Sequence, residues 1–335
     1  MTTYGFRLFR FTVHQGQKRK EQDLVVHEDG KAPWRYVDHL HSAAAAREGT
    51  SNSGHPPKPD GSPYKSYGES PVFELRKVIR GGGHLAGAFR FGRDGGHEWA
   101  YPIKADDDRD PVDIEGMAPA RRYRFAMLFP DSGNEGVLML ESVGGACPYQ
   151  SFMRWVRYWS QQATVGTDDA WYRMKVTPIA DKDQVDEFLK GARVDELVLS
   201  SEKASRSRRI SEKGFKLTTK LDASSKRAAL SKLTTAITAG KPEDELADDF
   251  AKLVGGGVDA LDFEDAWLHV DSPTFGSQTI SPSRLPEVFT YRIGTERPDE
   301  DVLHQEVKSR LRKLDKVPAV TTIKHTGWPT GVDDV

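Results

Sequence analysis

The sequence predicts an α+β protein in two parts. An antiparallel β-meander packed on a helix is expected over residues 1–165, and a ferredoxin-like βαββαβ half over 170–335. Two observations carry this. Between 72 and 143, apolar and polar residues alternate in short runs separated by Gly- and Asp-rich turns, the period-2 signature of antiparallel strands. Beyond about residue 170 the rhythm changes to strand-like runs interspersed with helical patterns.

Residues 4–13, YGFRLFRFTV, alternate and read as the first strand. PWRYVDHLHSAAAAREG reads as a helix with Pro33 as its first residue and Gly49 as its stop. Residues 50–71, TSNSGHPPKPDGSPYKSYGESP, are rich in Pro, Gly and Ser without periodicity and read as a mobile loop. The meander is VFELRKV, LAGAFRFGR, EWAYPIK, RRYRFAMLFP and GVLMLESV. In PYQSFMRWVRYWSQQ, Phe152, Trp155, Val156 and Trp159 recur at helical spacing, and the stripe is predicted to be core packed on the meander.

In the second half, WYRMKVTPI is a strand, DKDQVDEFLKG a helix and VDELVLS a strand. After a basic loop at 201–213 come GFKLTTKL as strand and SSKRAALSKLTTAITAG as helix. An acidic helical insert at 241–254 precedes ALDFEDAWLHV, another strand. Without the insert the order is β-α-β-β-α-β, the split βαβ arrangement of a ferredoxin-like domain. PEVFTYRIG as strand and DEDVLHQEVKSRLRKL as helix end the reading.

A chain of 335 residues has room for two domains, and 37% hydrophobic with 29% charged residues describes a folded polypeptide. The single cysteine, Cys147, excludes an internal disulfide, a zinc ribbon and an iron–sulfur cluster, and fits a reducing cytosol. No run approaches the roughly 18–20 apolar residues of a membrane span, and MTTYGFRLFRFTVHQG lacks a signal-peptide core. The expected location is cytoplasmic, with no membrane partner and no cofactor. The Arg/Ala/Asp/Gly-leaning composition points to a bacterial source, and antiviral defence or mobile-element biology follows by association.

RGGGHLAGAFRFGRDGGH, residues 80–97, repeats Arg-x-Gly-Gly-His. It matches neither the P-loop nor the dinucleotide pattern, and both repeats precede strand-like residues rather than a helix. His84 and His97 would lie at opposite ends of a strand on the order of 26 Å long, too far apart to share a metal. The motifs read as hairpin turns. Asp106, Asp107, Asp108, Asp110 and Asp113 lack the Gly and Glu of a calcium loop and read as a solvated turn. No metal site is expected.

Charge gives the main functional signal. Tyr123 and Phe125 alternate with Arg122 and Arg124, and Phe89 and Phe91 flank Arg90. With the aromatics inward, Arg90, Arg122 and Arg124 share an open sheet face, joined by Arg76, that suits phosphate oxygens. The alternative is a solvated face. Residues 200–232 hold ten lysines and arginines against three acidic residues, a net +7. Lys203, Arg206, Arg208, Arg209, Lys213 and Lys216 are the expected backbone contacts there, with steeply salt-dependent affinity. Residues 241–271 hold two lysines against ten acidic residues, a net −8, so the region 200–271 also suits a protein partner.

KGFKLTTK, 213–220, begins like the third strand of an RNA-recognition motif but has Lys216, Leu217 and Lys220 where that module keeps a small residue and stacking rings. Pro130-Asp131 with Glu141 resembles the acidic core of restriction-type nucleases, with Val143 in place of the required lysine. Arg35 and His41 resemble the Arg-x(4–6)-His signature of HEPN ribonucleases, which are all-helical, whereas this neighbourhood is β-rich. No catalytic centre is therefore recognisable. The expectation is a protein that binds the DNA or RNA phosphate backbone or a charged partner. The alternatives are a nucleic-acid-cleaving enzyme using Asp131/Glu141 or Arg35/His41, and a structural subunit of a complex.

Overall fold

The computed structural model describes residues 2–27, 29–63, 71–93, 99–100, 112–114, 117–179, 193–201, 215–239, 243–255, 258, 265–272, 276–280, 290–314, 318–323 and 327–333. The chain forms two compact units, Met1–Thr177 with Tyr291–Val335, and Pro178–Thr290. Residues 291–335 therefore belong with the N-terminal unit rather than with a continuous C-terminal half.

The first unit is organised around β1 (Tyr4–Gln15), where Phe6, Leu8, Phe9, Phe11 and Val13 are all buried, so both faces of the strand are covered. Short strands β2 (Glu21–Gln22), β3 (Val25–Val26) and β4 (Trp34–Arg35) lead into α1 (Tyr36–Ala45). The helix thus starts three residues after Pro33, because Trp34 and Arg35 pair with Val26 and Val25 instead. Next come β5 (Ser51–Ser53), β6 (Pro71–Arg80), β7 (His84–Arg93), β8 (Trp99–Ala100), β9 (Val112–Asp113), β10 (Ala120–Leu128) and β11 (Glu135–Val143). Helix α2 (Tyr149–Ala163) and strand β12 (Tyr172–Pro178) complete the N-terminal segment.

The described strands form a nine-stranded sheet with path β12-β1-β11-β10-β7-β6-β5, and β2 joins β1 off this path. The meander strands β6, β7, β10 and β11 are neighbours, but β8 and β9 pair only with each other. The segment expected to be a mobile loop is partly tied down. Ser51–Ser53 pairs with β6, and Arg157 of α2 donates to the Pro57 carbonyl.

Helix α2 has no side-chain cap at Pro148, so its stability rests on its apolar stripe. Phe152 lies 5.2 Å from Phe89 and 4.7 Å from Phe125, and Trp155 lies 5.6 Å from Phe73. With α1, this stripe covers the sheet face that carries Phe9, Phe11, Phe73, Phe89, Phe125, Leu138 and Leu140.

The opposite face carries Phe6, Leu8, Ala86, Ala88, Arg124, Ala126, Met139 and Glu141, placed together by register. The returning chain covers it with β17 (Tyr291–Gly294), α5 (Glu300–Lys313) and α6 (Pro318–Thr321). Strand β17 pairs with β1, and Tyr291 stacks on Phe6 at 5.2 Å. Trp328 packs against His84 and His304 at 5.7 and 4.7 Å. Gly81, in the first Arg-x-Gly-Gly-His turn, permits this approach: a Cβ there would stand 2.9 Å from the Gly327 carbonyl.

The second unit holds β13 (Arg193–Ser201), β14 (Phe215–Thr219), α3 (Ala223–Ala239), α4 (Glu243–Val254), β15 (Asp265–Ser272) and β16 (Gly276–Ile280). Its sheet order is β14-β13-β15-β16, and every pairing is antiparallel. The split βαβ reading needed residues 172–178 as the first strand of this sheet, whereas β12 lies beside β1 in the larger one. The chain is a mixed α+β protein. Ala229, Leu233, Leu246 and Phe250 of the two helices bury against Leu197, Leu199, Leu268 and Val270. No helix among the described residues is long and apolar enough to cross a membrane.

Candidate functional site

The arginine face predicted to be open is covered by the returning chain. Arg124 is 2% exposed. Its Nη2 donates to Glu141 Oε1 at 2.8 Å and to the Pro298 carbonyl at 2.9 Å, and its Nη1 donates to Asp333 Oδ2 at 3.0 Å. Arg122 donates to the other Asp333 oxygen at 2.9 Å. Arg297 Nη2 reaches Glu141 Oε2 at 2.8 Å and the Arg122 carbonyl at 3.0 Å. Burial disfavours the Arg124 charge, but the hydrogen bond and charge of Glu141, with Asp333, outweigh it and raise its pKa. The alternation did put the aromatics inward. It could not reveal the 291–333 segment that supplies the carboxylate and the cover.

Arg90 is exposed on β7, 3.5 Å from Glu74, and Arg76 binds the same carboxylate at 2.7 Å. Three of the arginines are therefore neutralised from within the sheet or the tail, and Arg90 keeps the most solvent contact. Lys203, Arg206, Arg208, Arg209 and Lys213 lie outside the described residues, and Lys216 is placed by its backbone alone, opposite Ser200 on β13.

The alternative catalytic pairs fare differently. Glu141 is held between two guanidiniums, and Asp131 is exposed in the turn after Pro130. Arg35 precedes α1 as its N-cap and His41 is half-buried on the helix. The nearby contact is instead His39 Nε2 to Ser160 Oγ at 2.7 Å, with Ser160 also accepting the Tyr172 N–H. Burial lowers the His39 pKa, so this group acts as a neutral clasp between α1, α2 and β12. Cys147 is half-buried against the core. Of the acidic loop only Asp113 is described, and His97 lies outside the described residues. No group of three or more His, Cys, Asp or Glu among the described residues is arranged to hold a metal.

A polar cleft of about 480 Å³ opens in the second unit, lined by Asp195, Glu196, Lys220, Lys226 and His269. Local sequence explains each position. The pairing of β13 with β15 shifts register between Val194 and Glu196, so the strand bulges at Asp195 and turns its carboxylates into the cleft. Glu196 and His269 are direct cross-strand partners on the sheet face away from the α3/α4 core; such pairs hold their Cβ atoms about 5 Å apart. His269 Nδ1 shares a hydrogen bond with Thr279 Oγ1 at 2.8 Å, which fixes the ring and leaves Nε2 to the cleft.

Lys220 follows β14, and Lys226 sits in the first turn of α3. That turn is fixed by Asp222, which accepts from the Ser224 and Ser225 N–H groups at 2.9 and 2.8 Å. The Ser224 hydroxyl and these amides hold the Asp222 carboxyl down to about 2. Asp195, Glu196, Lys220 and Lys226 make no ion pairs with other described residues, while nearby Lys232 binds Asp249 at 3.2 Å. The cleft thus presents two cations, two carboxylates and an imidazole to an incoming ligand. Sequence reasoning singled out none of the five as site residues. The signal was there in VDELVLS and AWLHV, whose alternation puts Glu196 and His269 on the polar side. No protein-family model matches the chain, and neither the curated proteins nor the solved structures give a match.

Proposed function

We propose that the protein binds nucleic acid through its second unit, with the phosphate backbone entering the cleft beside Lys220 and Lys226. The observation that carries this reading is the position of those two lysines. Both belong to the +7 stretch 200–232, and both line a concave polar site in which neither is tied up in an ion pair with another described residue. Lys203, Arg206, Arg208, Arg209, Lys213 and Lys216 precede Lys220 in sequence and belong to the same +7 stretch. Asp195 and Glu196 supply acceptors for hydroxyl or amino groups of the ligand, and they favour orientation over tight non-specific binding. A reducing, cytoplasmic setting belongs to the same proposal.

The test is fluorescence anisotropy of the protein with labelled single- and double-stranded DNA and RNA across a salt series. Log affinity is expected to fall linearly with log salt. The double reversal Lys220→Glu with Lys226→Glu is expected to weaken binding at least tenfold and to flatten the slope by roughly 2. Arg122→Ala is expected to leave affinity within about twofold, because that guanidinium is already paired with Asp333. Absence of binding at any salt, or binding indifferent to the double reversal, overturns the reading.

A further inference from the structure

We propose that the cleft of the second unit cleaves RNA at the ribose 2′-hydroxyl without a metal, with Glu196 and His269 as the acid–base pair. This rests on the reading of that unit as a nucleic-acid-binding module. Cleavage through the 2′-oxygen needs three things within the span of one nucleotide: a base for the hydroxyl proton, an acid for the leaving oxygen, and positive charge beside the phosphorus. The cleft brings together these groups. Glu196 and His269 face each other across β13 and β15, and Lys220 and Lys226 line the same cavity. Its volume of about 480 Å³ admits a nucleotide.

The Thr279 hydrogen bond assigns the roles. With Nδ1 engaged at 2.8 Å, His269 presents Nε2 alone to the ligand. In the proposed step the Glu196 carboxylate takes the proton of the 2′-hydroxyl, and the 2′-oxygen forms a bond to the adjacent phosphorus. The bond from phosphorus to the 5′-oxygen breaks, its electron pair leaves with that oxygen, and protonated His269 supplies the proton from Nε2. Lys220 and Lys226 balance the extra negative charge on the phosphoryl oxygens. The products are a 2′,3′-cyclic phosphate and a free 5′-hydroxyl, so no water, oxidant or co-reactant is consumed. Solvent returns the proton from Glu196 to His269. Asp195, at the bulge, accepts from the ribose or a base amino group.

The experiment incubates the full chain with end-labelled single-stranded RNA in EDTA and analyses fragment termini, alongside anisotropy on the same oligonucleotide. Fragments ending in a cyclic phosphate are expected, and an all-2′-deoxy oligonucleotide is expected to bind and remain intact. Glu196→Gln and His269→Asn are each expected to slow cleavage by about 10²–10⁴-fold, with affinity within about threefold and unchanged unfolding midpoints. His269→Asn keeps a partner for Thr279, so a loss of cleavage by that variant is not a loss of fold. RNA that is bound but not cut overturns the inference and leaves nucleic-acid binding standing. Cleavage unaffected by either variant, or cutting of the 2′-deoxy strand, also overturns it. No binding at any salt overturns both.

Discussion

At Glu141 one buried carboxylate stands between Arg124 and Arg297, 2.8 Å from each, and also accepts the Arg124 backbone N–H at 2.9 Å. Removing it takes from Arg124 and Arg297 the carboxylate they share and leaves buried Arg124 to Asp333 alone, and breaking a buried pair in this way costs more than the pair contributes. Glu141→Leu is expected to lower stability by about 3–5 kcal/mol in urea unfolding, while Arg90→Ala, at a half-exposed 3.5 Å pair, is expected to cost under about 1 kcal/mol. His304 in the same layer carries a pH signature. Burial, with Lys308 and Arg124 nearby, pushes its pKa from 6.5 down to about 4. The folded chain keeps this ring neutral between those values, while the unfolded chain binds the proton. Stability therefore falls as pH drops from about 6.5 toward 4, by an amount on the order of 3 kcal/mol once complete. Unfolding curves at pH 7 and 4.5 check this, and His304→Phe is expected to flatten the acid limb.

At the scale of elements, what was legible depended on how local the cause is. The stripe of α2 is written within fifteen residues, and Phe152, Trp155, Val156 and Trp159 are the residues that pack on Phe73, Phe89 and Phe125. Phe152→Ala is expected to cost about 3–5 kcal/mol, measured by the urea midpoint, because the cavity would open between three aromatic rings. Gly87 tests the sheet beneath it. A Cβ there would lie 2.6 Å from Phe125 Cζ and overlap the Lys77 carbonyl, so Gly87→Ala is expected to cost about 1–3 kcal/mol. The ferredoxin-like order failed because strand pairing is a long-range choice. Nothing in YRMKVTP distinguishes a strand that starts a new sheet from one that closes the edge of β1. The Arg124 face was misread for the same reason, since Asp333 and Pro298 lie 209 and 174 residues away in sequence. The cleft was missed because its five residues come from a bulged strand, its cross-strand neighbour, the residue after a third strand and a helix turn, a combination that no spacing encodes.

For the molecule as a whole, the second unit is an insertion into the first. The chain leaves through β12 and re-enters through β17, and both strands pair with β1. The returning segment is indispensable to the first unit, because it covers Phe6, supplies Arg297 and Asp333, and seats Trp328 beside His84. Truncation before residue 291 is therefore expected to yield aggregated or unfolded protein, since it exposes the apolar sheet face around Phe6 and Leu8 and strips Arg124 of Asp333 and the Pro298 carbonyl. Excision of residues 178–290 is a different operation. It keeps both layers on the sheet and interrupts no described strand pairing within the first unit, and insertions joined at strand edges tolerate removal well. Joining Thr177 to Tyr291 through about ten Gly/Ser residues, with a reach on the order of 30 Å, is expected to give a soluble protein that unfolds in one cooperative transition. That protein is expected to show no salt-dependent binding of DNA or RNA, because Lys220, Lys226 and the whole 200–232 stretch are gone. Retained binding would move the nucleic-acid site to the first unit and to Arg90, whereas loss of cooperative unfolding would show that the insertion stabilises the sheet it interrupts.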